Sequence, residues 1–423
     1  MDPSRNYALA GAALFNPMAS VYWLDVLRGR KPGVGLALVS AAGAACAALA
    51  SPREQPLRAV GTGLLAAAGA AVTGVVLQRF VTWVEQRDGP PAAPDARDLL
   101  VPAAAVCGAV VGAVALGGRA PISYAPYNGK PGHYRWISEG PYTAARITAW
   151  SGYLLHQLAV WGCIYAAQRA RPSYDDGMRP LNWTALAVNA AGVGLHYAQT
   201  RRYYDGLAVD VPEGTSLGSA AFMLMLILAM ETPRRGLIMG LKRPGLPPEL
   251  VRFVRRYHGY IFSWATVYTF WYHPMEPLPS HLGGLYHMML LFVQSSLLFT
   301  NAHREPRWTL ALEMLVLPHA VITTLQKGSG FEGMFTFGFL GMFVLAQMHG
   351  LGLSKEARLG IGSTYAASAL AWYGLRREMH RLPDILRVPI LEYGIVGILA
   401  GLSLLMRAMR RGSQRIAAPG GAV

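Results

Sequence analysis

Between residues 196 and 287 the chain gathers side chains that can move protons or hold a cation: His196, Arg201, Arg202, Asp205, Asp210, Glu213, His273, Glu276, His281 and His287. An imidazole titrates near neutrality and ligates metals, a carboxylate orients it or holds a cation, and arginine meets phosphate or carboxylate. The set suits acid–base or metal-assisted chemistry on an anionic substrate. His196 or His287 would be the general base, and Asp205, Asp210 and Glu213 would orient it or hold a cation. Arg201 and Arg202 would meet a head group, while His273, Glu276 and His281 are candidate ligands for a divalent metal. His281 and His287 are six residues apart and fall on different faces of a helix, unlike an HxxxH pair, so the spacing carries little metal specificity.

A second set consists of Glu313, His319, His258 and His349, with Glu231 and His303 near them in the pattern. Ionisable groups at membrane depth persist when they face one another or a hydrated path, so a thread from Glu313 through His319 toward His287 would relay protons. Glu313 and His319, six apart on one helix, must look toward different neighbours, which places that helix centrally. Two histidines facing each other from different helices would hold haem iron without any sequence motif. A histidine bonded to a neighbouring carbonyl or amide is the ordinary alternative for His156 and His319.

The elements that position these groups follow from composition. Of 423 residues 53% are hydrophobic and 14% charged, with a mean hydropathy of +0.28, and nine of the eleven histidines lie in or at the rim of apolar stretches. A soluble domain has nearly twice that charge. The expectation is an all-α, polytopic membrane bundle of about twelve spans, each near the ~20 residues needed to cross hydrocarbon. They fall near 33–50, 59–84, 99–117, 145–168, 181–199, 215–232, 253–273, 282–301, 308–326, 333–351, 361–376 and 388–408. Residues 7–27, with Asn16-Pro17 and Asp25, form a thirteenth span or an interfacial helix.

The net charge of +15 sits in short loops rather than in one stripe, so nucleic acid is excluded as a partner and membrane lipids are expected. Alternate loops hold roughly 23 basic residues on one side against roughly 13 on the other, which puts the Arg-rich loops and both termini in the cytoplasm of a cell-membrane protein. The same alternation brings the ends carrying His196, Asp205, His273 and His287 to one outer face, where they are expected to line a common cavity. Cys46, Cys107 and Cys163 each lie in an apolar span, so there is no disulfide framework. Three regions result: Ala/Gly-rich scaffold spans over 1–118, a histidine-rich polar core over 119–357, and C-terminal spans with a basic tail over 358–423. Function is expected to be that of a membrane-embedded enzyme on a lipid or isoprenoid-like substrate. The alternatives are a proton-coupled transporter or channel, and a haem- or metal-binding component of an electron-transfer or assembly system.

Overall fold

The computed structural model describes residues 19–21, 23–29, 56–118, 143–204, 207–243 and 245–417. They are mostly helical: α1 Pro56–Arg87, α2 Leu100–Gly117, α3 Thr143–Ala170, α4 Pro180–Tyr203, α5 Leu207–Asp210, α6 Glu213–Arg235, α7 Pro248–Tyr272, α8 Pro279–Ser296, α9 Pro306–Met314, α10 Val316–Lys327, α11 Glu332–Leu345, α12 Lys355–Leu375 and α13 Arg387–Ala417. Two short strands, β1 Ala92–Asp95 and β2 Gly177–Met178, pair antiparallel. Five helices, α1, α4, α7, α8 and α9, begin on proline, whose fixed φ suits a first turn that needs no N–H donor. Ser354 accepts a hydrogen bond from the backbone of Ala357 to open α12, and Gly328 closes α10 in the left-handed conformation.

Among the described residues four stretches are both long and apolar enough to cross a membrane: Leu100–Gly117, Glu213–Arg235, Pro306–Lys327 and Met379–Met409. This is fewer than the twelve expected from run lengths. The reason is visible in helices such as α4, whose 24 residues would reach across hydrocarbon but include Asn182, Asn189, His196 and Gln199. The expected range 33–50 lies outside the described residues, and 7–27 is described only from residue 19.

The chain divides into two compact units, each discontinuous in sequence: residues 1–220 with 259–308, and residues 221–258 with 309–423. The first is organised by α4. Its inward seam reads Asn182, Ala185, Asn189, Gly192, His196, Gln199, alternating steps of three and four, and all six are buried, while Trp183 and Leu195 point outward. This is a polar-inside, apolar-outside helix.

Two layers of loops cap this unit. At the start of α4, Arg179 pairs with Asp88 (2.7 Å), β1 pairs with β2, Asn182 donates to the carbonyls of Ser296 and Leu298, and Asn301 donates to Asp176. At its end, Arg201 and Tyr197 donate to the carbonyl of Gly117, and Tyr204 donates to Glu276. A helix of 24 residues holds the layers about 36 Å apart.

In the second unit α11 is central, packed by α10, α12, α13 and the 3-10 segment Met379–Leu386. Val396 of α13 joins Met225, Leu228 and Ala229 of α6 and Met342 and Ala346 in one apolar cluster. The span expected over 308–326 falls within Pro306–Lys327, one of the four stretches able to cross, and is interrupted at Leu315 into α9 and α10. Pro318 lacks an N–H and its ring crowds the carbonyl of Met314, which breaks the ladder there. Along the two pieces Leu312, Glu313 and Thr324 are buried and most other residues are half-buried.

Candidate functional site

The loop layer at the C-terminal end of α4 brings together four of the residues singled out by type, His196, His273, Glu276 and His281. Glu276 has 0% exposure; its Oε2 accepts from the Tyr204 hydroxyl (2.9 Å) and its Oε1 lies 3.1 Å from Nδ1 of His281. The His273 and His281 rings stand edge to face with centroids 5.7 Å apart. His273 gives Nδ1–H to the carbonyl of Thr269 in its own helix (2.9 Å). Its own carbonyl accepts from Nε2 of His196 (2.8 Å), whose ring lies against Phe270 and Trp271. Thr200 Oγ1 accepts from the backbone of Met275 (3.2 Å), which joins α4 to the 273–278 turn. Tyr204 is fully buried with φ at +69°, a left-handed backbone uncommon outside glycine. Ring burial and the bond to Glu276 hold it there, so the chain accepts local strain to put this hydroxyl on this carboxylate.

Other members of the set are placed but serve the scaffold. Asp210 is buried and clamped by the Arg146 guanidinium and by Trp150 Nε1 (2.8 Å). It is therefore not available to orient His196 or His287. Glu213 stands in the first turn of α6, where a carboxylate favours the helix N-terminus. Arg201 donates to Gly117 O (3.0 Å) while remaining exposed, and Arg202 lies over the Tyr203 ring. His287 is buried on α8, six residues past His281 and on a different face. Asp205 falls outside the described residues. Among the described residues no three His, Cys, Asp or Glu side chains are gathered so as to hold a metal. His273, Glu276 and His281 thus form a carboxylate–imidazole pair with a neighbouring ring, not a ligand triad.

His156 sits deeper and is fully engaged. Trp271 Nε1 can only donate, so His156 Nδ1 accepts from it (3.3 Å); Nε2–H then donates to Asn189 Oδ1 (3.0 Å). Asn189 Nδ2 donates in turn to Phe292 O and to the hydroxyls of Ser295 and Ser296. With both nitrogens occupied, His156 is no haem ligand. Gly152 and Gly192 leave the space: a Cβ at either would overlap the Trp271 or the His156 ring.

Glu313, His319, His258 and His349 belong to the second unit and His287 to the first. Glu313 is gripped by both terminal nitrogens of Arg235, at 2.6 and 2.5 Å, with both side chains buried. His258 donates to its own helix at Arg255 O, and His349 is held between Val344 O (3.0 Å) and Arg358 (3.3 Å). Glu231 pairs with Arg234, and His303 exchanges hydrogen bonds with Gln294, which also accepts from Trp308. His319 lies half-buried on α10, not on the helix of Glu313.

Type-and-spacing reasoning missed Arg146, Trp150 and Arg235, and gave Tyr204 no role. For the two arginines a signal existed, since a guanidinium next to an apolar run requires a counter-charge. Comparison with family models, with curated proteins and with solved structures finds no match to this chain.

Proposed function

We propose that the chain is a membrane-embedded enzyme that performs acid–base chemistry on a lipid or isoprenoid-like substrate, with His281 transferring the proton and Glu276 positioning it. One observation carries the reading: Oε1 of a carboxylate without exposed surface lies 3.1 Å from Nδ1 of His281, within ion-pair distance though not aligned as a hydrogen bond, while the buried Tyr204 hydroxyl donates to Oε2. A carboxylate beside Nδ1 favours the tautomer with its proton on that nitrogen and orients the ring, which leaves Nε2 to face a substrate. Proton transfer then runs through Nε2 of His281. Arg201 keeps further donors beyond the one given to Gly117 O, and with Arg202 it suits a phosphate or carboxylate head group at the same end of α4.

Embedding is supported by the inverted burial of α4 and by the two loop layers, whose separation of about 36 Å exceeds the ~30 Å hydrocarbon thickness. The reading retains about twelve spans in the cell membrane, with the Asp88–Arg179 layer and both termini on the cytoplasmic side.

The test is a comparison of lipid composition. Membranes holding the wild-type chain or Glu276→Gln are incubated with a total lipid extract and analysed by mass spectrometry. At least one lipid species should be consumed with the wild type, and about tenfold more slowly or worse with the variant. A profile identical to that of membranes lacking the chain would overturn the proposal.

A further inference from the structure

The turn that follows α6 is held by a dense set of backbone bonds and yet presents an apolar tip. Gly236 N donates to Thr232 O, Leu237 N to Leu241 O and Leu241 N to Ile238 O; Met239 N donates to Leu345 O, and the Tyr393 hydroxyl donates to Leu237 O. Met239 is left-handed, with φ at +51°. So determined a backbone presents Ile238, Met239 and Leu241 at 41%, 52% and 59% exposure. Lys242 and Arg243 follow directly, both exposed and without hydrogen bond or ion pair among the described residues. No acidic residue occurs from Thr232 to Pro248. The neighbouring arginines are committed, Arg234 to Glu231 and Gly350 O and Arg235 to Glu313.

A rigid apolar tip with uncommitted cations at its base matches the bilayer interface in both layers: methylene and methyl groups enter the acyl boundary while the cations remain at head-group level. We propose that this turn, with Lys242 and Arg243, is a binding site for anionic phospholipid head groups on the Arg-rich side of the membrane. The charge selects the lipid. A zwitterionic head group adds no net attraction, whereas each basic residue near an anionic leaflet contributes about a fivefold gain in binding. Nucleic acid would use the cations but leave the apolar tip in water. The proposal rests on the membrane reading and is independent of His281, because the turn and the Glu276–His281 pair lie in different units.

The experiment is native mass spectrometry of the full chain in detergent, titrated with phosphatidylglycerol or phosphatidylcholine, for the wild type, Lys242→Gln/Arg243→Gln and Ile238→Ser/Leu241→Ser. The wild type should retain phosphatidylglycerol preferentially, and the charge variant should lose about tenfold or more of that binding with phosphatidylcholine retention unchanged. The tip variant should weaken both lipids. Both variants replace exposed side chains, and unchanged melting temperatures verify that they fold. Equal retention of the two lipids by the wild type would overturn the proposal, as would phosphatidylglycerol binding unaffected by the charge variant. Displacement by inorganic phosphate at the lipid's own concentration would also overturn it, since the site would then take a bare anion.

Discussion

Both ring nitrogens of His156 are occupied, and the tautomer that satisfies them is set by a tryptophan that can only donate. A histidine in an apolar stretch can therefore be a fastening point, here tying α3, α4, α7 and α8. Replacing Asn189 with Leu should lower stability by about 1–3 kcal/mol, because the His156 N–H is left unpaired in the core; thermal unfolding in detergent measures it. Gly192→Ala should also lower the melting temperature, since its Cβ overlaps the same ring. The Glu313–Arg235 pair behaves in the same way. Glu313→Gln or Arg235→Gln should cost about 3–5 kcal/mol by stranding the partner charge, and the double variant should recover part of that. A single variant with unaltered melting would show that the pair carries no structural role.

At the scale of elements, α4 shows what was legible and what was not. Its length and the polar residues Asn189 and His196 are plain in the sequence, and so is the convergence of its end with the end of α7. The inward seam has a physical signature that type-based reading passes over: Asn182, Asn189 and His196 recur every seven residues, with small residues between them. Spin labels at Trp183 and Leu195 should be relaxed strongly by oxygen and weakly by a polar nickel chelate, as lipid-facing sites are, while a label at Ala185 should respond to neither. Strong nickel relaxation at Leu195 would mean that α4 faces water. The break between α9 and α10 was legible too, because Pro318 forbids a continuous ladder. The bidentate grip of Arg235 on Glu313 was not, because it joins residues 78 apart.

For the whole molecule, helicity and apolar character are written in composition, whereas the two discontinuous units depend on long-range packing that no local pattern encodes. The loop layers of the first unit bring together the connections after α1, α3 and α8 at one end and those around α2, α4 and α7 at the other. Helices that run alternately up and down produce such a separation. In a chain with Cys46, Cys107 and Cys163 replaced by Ala, a cysteine at Asp98 should react with an impermeant maleimide only after permeabilisation, and one within 119–142 should react in intact cells. The reverse pattern would invert the orientation.

The central claim is that His281, held by Glu276, moves the proton. Turnover of the lipid consumed by the wild type, measured side by side for the wild type, His281→Gln and His287→Gln in the same reconstituted bilayer, tests it most directly. The account predicts a loss of about a hundredfold or more for His281→Gln, and near wild-type turnover for His287→Gln once each is normalised to folded protein. Wild-type turnover in the His281→Gln variant would contradict it.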